Sequence, residues 1–176
     1  MRYFPEPDDP ELAPFTRAFV KVMFAHAELE HRISDLLECI TREPGFGEKP
    51  CNRMPAQKRP ELVRKLCAKY EAKHPGGLPE TDEIVRLLSE AFPLCNERNL
   101  LAHGIWWALD SAGSFVTVRP GTAYENKSVH RDFYVSEIEN VAFELGNLEA
   151  ELYKLQASIE VRSKRGEDSM TISRLD

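Results

Sequence analysis

The stretch VSEIENVAFELGNLEAELYKLQASIE, residues 135–160, decides the fold, because its apolar positions recur at alternating steps of three and four residues. Those positions are Ile138, Val141, Leu145, Leu148, Leu152, Leu155 and Ile159. A helix with this repeat carries one continuous apolar stripe, which packs against other helices or against a second copy. The stretch therefore predicts a long helix that begins at Val135 or Ser136. The polar residues 161–176 that follow predict a flexible tail.

Helical periodicity predicts three further helices upstream of this stretch. They run from about Leu12 to a stop at Pro44, over residues 60–73, and from Thr81 to a stop at Gly104. Proline near a helix start and glycine just after a helix end favour these boundaries. The three prolines and four acids of residues 1–11 predict an extended N-terminus.

Aromatic and β-branched residues replace the helical pattern after Gly104. Ile105–Leu109 and Ser114–Val118 flank a turn at Asp110–Gly113, and this arrangement is typical of a β-hairpin. The sequence therefore predicts a mainly α fold. We expect a four-helix up-and-down bundle with a small β-hairpin insertion, residues 104–135, between the third and fourth helices. A chain of 176 residues fits one domain, so residues 1–176 are interpreted as a single helical domain.

Compartment and cofactors follow from what the sequence lacks. No run approaches the roughly 18 apolar residues of a membrane span, and the N-terminus lacks the order of a signal peptide. We expect a cytoplasmic protein with no membrane partner. The four cysteines show no C-x-x-C spacing, and His26 and His31 lie five positions apart on the first helix, which suits no metal pair. We therefore expect reduced thiols, histidines at the surface or its boundary, and no metal or other cofactor.

The charge of the chain is unevenly distributed. The net charge is −6, but residues 49–74 carry +6, so the remainder carries −12. An acidic surface repels a phosphate backbone, which argues against broad nucleic-acid binding. Two interpretations of the basic segment stay open: a patch that faces RNA, with Lys58, Arg59 and Arg64 as its contacts, or a solvated helix face.

The only pair of residues that indicates catalytic chemistry lies at the end of the predicted third helix, in Arg98-Asn99-x-x-x-His103. A guanidinium binds a phosphate through two parallel hydrogen bonds, and an imidazole moves protons near neutral pH. Five helical positions turn through about 500° and rise about 7.5 Å, so Arg98 and His103 do not share one face. The alternative is structural, with Arg98 paired to an acid such as Glu90 or Glu97 and His103 capping the helix.

This Arg-Asn-x-x-x-His pattern, in a mainly helical chain of this size, resembles the signature of the HEPN superfamily. In that family the Arg, a polar residue and the His lie on the third helix of a four-helix bundle, and many members are metal-independent ribonucleases. The resemblance implies that Arg98 and His103 are catalytic and that Asn99 supports them. It also implies a homodimer whose two motifs face each other across a cleft.

Two functions of different classes remain open at this level. The first is a metal-independent RNA endonuclease, in the manner of a toxin or defence effector, that cuts through 2′-hydroxyl attack and is controlled by an antitoxin or regulatory protein. The second is a non-catalytic dimeric helical module that binds a partner protein or a nucleotide. The apolar stripe of residues 138–159 suits a dimer interface or a core equally well.

Overall fold

The structure is a computed structural model that describes residues 13–48, 54–72, 78–103, 105–107, 115–119 and 129–172. Most of these residues lie in four α-helices, which confirms that the fold is mainly helical. The helices are α1 (Ala13–Thr41), α2 (Arg59–Glu71), α3 (Thr81–His103) and α4 (Val135–Ile172). A single 3-10 turn, Ala56–Lys58, leads into α2. The N-terminus predicted to be extended, residues 1–11, lies outside the described residues.

Local hydrogen bonds explain where two of the helices begin. At α3 the Thr81 hydroxyl donates to the Leu78 carbonyl over 2.7 Å, and two acids in the first turn complement the helix dipole. At α4 the Glu137 carboxylate accepts a hydrogen bond from the Tyr134 backbone N–H over 2.8 Å. This is the backward contact of a capping box, and it defines the N-terminus of α4 close to the predicted start.

Helix α4 is longer than the sequence predicted. It continues to Ile172, whereas the polar composition after Glu160 predicted a flexible tail over residues 161–176. Arginine, lysine, glutamate and methionine in this region are good helix formers, and no proline interrupts them. A side-chain hydrogen bond from Arg162 to Glu80 also anchors the helix beyond its apolar stripe.

The chain divides into two compact units. The first unit comprises residues 1–27 and 93–146, and the second comprises residues 28–92 and 147–176. The apolar stripe of α4 supplies buried residues to both: Ile138, Val141 and Leu145 in the first unit, and Leu148, Leu152 and Ile159 in the second. Six of the seven stripe residues are therefore buried in the core. Of the two interpretations that the sequence left open, a dimer interface or a core, the structure supports the core.

The first unit contains a three-stranded antiparallel sheet with strand order β1-β2-β3. The strands are β1 (Ile105–Trp107), β2 (Phe115–Arg119) and β3 (Val129–Phe133). Ile105 pairs with Val118, and Phe115 pairs with Phe133. The Phe133 side chain is completely buried, so the last strand delivers an aromatic side chain to the core of this unit just before α4 begins.

The second unit contains a close approach between a loop and α1. Gly47, in the turn that follows α1, lies against Ser34 so closely that an added Cβ would overlap the Ser34 backbone. Gly45 in the same turn has a φ of +74°, a conformation that favours glycine. Glycine at these two positions therefore lets the chain turn back onto the helix.

Candidate functional site

Arg98 is held by two neutral acceptors in the first unit. Its Nη1 donates to the Asn99 Oδ1 over 2.9 Å, and its Nη2 lies 2.8 Å from the Nδ1 of His26. Asn99 follows Arg98 on α3, whereas His26 reaches the guanidinium from α1. The Arg98 side chain is partly buried, so the two contacts fix it at the edge of the unit's core. Asn99 supports the arginine and forms no hydrogen bond with His103.

His26 is a site residue that the sequence analysis missed. It is only 6% exposed, so the expectation of a surface or boundary histidine is wrong at this position. A guanidinium can only donate hydrogen bonds, so Nδ1 must accept, and the imidazole is neutral with its proton on Nε2. A signal was present in the sequence, because His26 falls between Val22 and Leu29 on the apolar stripe of α1, at steps of four and three. His31, by contrast, is exposed, and its Nε2 lies 3.7 Å from the Oδ2 of Asp35.

The guanidinium of Arg98 forms no ion pair with a carboxylate of the described residues. Among the described residues, no carboxylate oxygen lies within hydrogen-bonding or ion-pairing distance of its guanidinium. Glu90, one of the acids considered as a partner, bonds to Arg86 over 2.7 Å instead. The Arg98 Nε is buried and finds no hydrogen-bond acceptor among the described residues. Buried charges are usually paired, so an uncompensated guanidinium is typical of a site that binds an anion.

His103 is the last residue of α3 and is exposed. No side chain in the described part of the chain, Arg98 included, hydrogen-bonds to it. The structure therefore brings Arg98, Asn99 and His26 together and leaves His103 facing solvent, about one and a half helical turns along α3. An exposed imidazole at this distance can act on a ligand that extends beyond Arg98, but it does not itself hold the guanidinium.

The three basic residues predicted to contact RNA have different environments, all in the second unit. Arg59 is 6% exposed and binds both carboxylate oxygens of Glu30, over 2.6 and 2.8 Å. This placement corrects the expectation of an exposed cation, because the guanidinium is already engaged within the protein. Lys58 and Arg64 are exposed, as the prediction requires. Lys65, on the same helix, pairs with Glu61 over 2.7 Å.

An exposed apolar groove lies between α1 and α4 in the first unit. Phe24 is 68% exposed, Phe143 is 65% exposed and Val20 is 42% exposed. The groove has a volume of about 480 Å³, and Lys21 pairs with Glu139 within it over 3.0 Å. Two exposed phenylalanines on neighbouring helices form the kind of patch that marks an interaction surface. We refer to Val20, Phe24 and Phe143 as the exposed apolar patch.

Comparisons with known proteins give no relative for this chain: no family model matches it, and neither does any curated protein or solved structure at a significant level. The described helices include none that is both long enough and apolar enough to cross a membrane.

Proposed function

We propose that this protein is a HEPN-like, metal-independent RNA endonuclease, with four helices in an up-and-down bundle and a β-hairpin insertion between the third and fourth. The observation that carries the proposal is that Arg98 forms no ion pair with any carboxylate of the described residues. A guanidinium held by a neutral imidazole and a neutral amide keeps its full positive charge for a phosphate. An ion pair with a protein carboxylate would have cancelled that charge, and the described residues provide none.

Each residue of the motif has a role in this reaction. Arg98 binds the scissile phosphate and stabilises the negative charge that grows on it in the transition state. The RNA 2′-hydroxyl attacks phosphorus, the bond to the 5′-oxygen breaks, and His103 accepts the proton of the nucleophile or donates one to the leaving group. Asn99 holds Arg98 through its Nη1, rather than orienting His103. The products are a 2′,3′-cyclic phosphate and a 5′-hydroxyl.

The proposal is tested by RNA cleavage in EDTA with substituted proteins. Arg98→Lys keeps the charge but loses the planar guanidinium that binds a phosphate through two hydrogen bonds. His103→Ala removes the group that transfers the proton. Each substitution should lower the single-turnover rate by about 10² to 10⁴-fold. Arg86→Lys and His31→Ala are matched controls, since both residues lie at exposed positions on the described helices. Full cleavage by either site variant, or loss in both controls, would contradict the assignment.

We further propose that the RNA contacts extend to Lys58 and Arg64. Charges that contact phosphates release counterions, so the slope of log affinity against log salt should shrink by nearly one unit for each contact removed. The Lys58→Gln, Arg64→Gln double variant should therefore show a shallower slope while its cleavage rate at saturating RNA stays unchanged. A slope equal to that of the wild type would leave these cations as a solvated face.

A homodimer, a cytoplasmic location and an antitoxin or regulatory partner complete the proposal. The exposed apolar patch supports the dimer, since burying Phe24 and Phe143 against a second copy would remove both from water. Lys21 and Glu139 in the same groove give it charges of both signs, which suits contact with an identical surface. The apolar stripe of α4 no longer supports the dimer, because it is core.

The same patch favours a second candidate function, a non-catalytic dimeric module that binds a partner protein or a nucleotide. In that case the guanidinium of Arg98 would bind a phosphate without cutting a bond. Wild-type protein that binds RNA or a nucleotide in an Arg98-dependent manner, yet leaves RNA intact in EDTA, would favour this candidate over the nuclease.

A further inference from the structure

The contact between His26 and Arg98 joins two residues that are 72 positions apart in the chain. His26 is 6% exposed and lies on α1, opposite the helix that carries the motif. Because the arginine can only donate, the histidine accepts through Nδ1 and carries its proton on Nε2. A protonated imidazole has no lone pair for this contact and would place a second positive charge against the guanidinium.

We propose that His26 is a positioning residue, which fixes the guanidinium plane of Arg98 while leaving its charge uncancelled for a phosphate of RNA. The identity of that ligand rests on the function proposed above, whereas the positioning does not. A carboxylate at the same place would fix the arginine but neutralise it, and an apolar side chain would preserve the charge but leave the plane to rotate. A neutral hydrogen-bond acceptor fixes the guanidinium plane and also leaves the positive charge in place.

The geometry of the two contacts explains how the plane is fixed. Asn99 holds one terminal nitrogen and His26 holds the other, so rotation of the guanidinium would break at least one hydrogen bond. Each contact uses a single N–H, and the second N–H of each terminal nitrogen engages no described residue. Arginine binds a phosphate in a bidentate manner through two N–H groups of one fixed guanidinium plane, so a guanidinium held in place at both terminal nitrogens is prepared for such a contact.

The first test is spectroscopic and needs no activity. Two-bond ¹H–¹⁵N correlation spectra of the wild-type protein should show His26 as the neutral Nε2–H tautomer. The terminal nitrogens of Arg98 should give two separate resonances, because rotation about the guanidinium bonds is slowed. The separation should persist in His26→Gln, whose Oε1 is a neutral acceptor, and average to one resonance in His26→Leu. His31→Gln and His31→Leu, at an exposed position on the same helix, are matched controls that should leave Arg98 unchanged.

The second test is RNA affinity. A hydrogen bond to a charged group contributes about 1.5–3 kcal/mol, so His26→Leu should weaken RNA binding by roughly ten- to a hundredfold, with His26→Gln within about threefold of wild type. Wild-type protein that neither binds nor cuts RNA would overturn the proposed function, and the Arg98 spectra would still decide the positioning role. An Nδ1–H tautomer in the wild type would overturn the inference, as would separate Arg98 resonances in His26→Leu. If His26→Leu does not fold, the wild-type tautomer and the Gln variant carry the test.

Discussion

Replacing Arg59 by methionine should destabilise the protein while leaving its affinity for RNA unchanged. Arg59 is 6% exposed and binds both oxygens of Glu30, so the substitution removes the ion pair that this carboxylate forms with the guanidinium. Removing one partner of a buried pair costs about 3–5 kcal/mol. The Glu30 side chain is 21% exposed, so water solvates part of the remaining charge and the lower end applies, about 3 kcal/mol. For a chain of this size that corresponds to a fall of roughly 6–12 °C in Tm.

Urea unfolding, followed by circular dichroism, measures this loss. Replacing both partners, as in Arg59→Met with Glu30→Leu, removes the buried charges together and should recover most of the stability. Arg64→Met on the same helix is the matched control, and as an exposed substitution it should change the free energy of unfolding by no more than about 0.5 kcal/mol. An Arg59→Met protein as stable as this control, or a double variant less stable than either single one, would refute the reasoning.

Three further predictions concern other parts of the chain. Gly47→Ala should lower the free energy of unfolding by about 1–3 kcal/mol, because its Cβ would overlap the Ser34 backbone, and an unchanged urea melt would contradict this. Partial burial, the largest single influence on Glu80, would raise its pKa, but the hydrogen bonds from Arg162, Ser158 and the backbone, together with the charge of Arg162, outweigh burial and hold the pKa below the ordinary 4.5. The resulting stabilisation is present above that value and lost as pH falls through the folded-state pKa, so wild type and Glu80→Gln should differ in stability at pH 7 and converge once the pH lies below the folded-state pKa; a constant difference would argue against it. Phe24→Ser should shift the sedimentation of the protein from dimer to monomer, and a wild type that is monomeric at micromolar concentration would rule out the dimer.

The helices could be predicted from the sequence because their signals are local. The apolar periodicity and the stop and start residues placed α3 from Thr81 to the residue before Gly104, and the structure has it at Thr81–His103. The start of α4 could also be predicted, and the structure has it at Val135. The end of α4 could not be predicted, because a polar segment that continues a helix and a polar segment that forms a flexible tail have similar amino-acid compositions.

Only the part of the candidate site that lies on one helix, α3, could be predicted from the sequence. Arg98, Asn99 and His103 lie in one short motif, but the partner of Arg98 comes from α1, and no spacing rule relates residues 72 positions apart. The same limit applies to Arg59, whose partner Glu30 lies 29 positions away on another helix. Composition shows that a segment is basic, and only the packing of side chains shows which of its cations are already bound within the protein.

The chemistry of the cut ends tests the central proposal most directly. Purified protein in EDTA is incubated with a defined RNA oligonucleotide, and with the same oligonucleotide carrying 2′-deoxynucleotides at its cleavage sites, and the products are identified by mass spectrometry. Attack by the 2′-hydroxyl, with Arg98 and His103 as the catalytic residues, predicts fragments ending in a 2′,3′-cyclic phosphate and in a 5′-hydroxyl, and no cut at the 2′-deoxy positions. Intact RNA, or fragments that end in a 3′-hydroxyl, would contradict it.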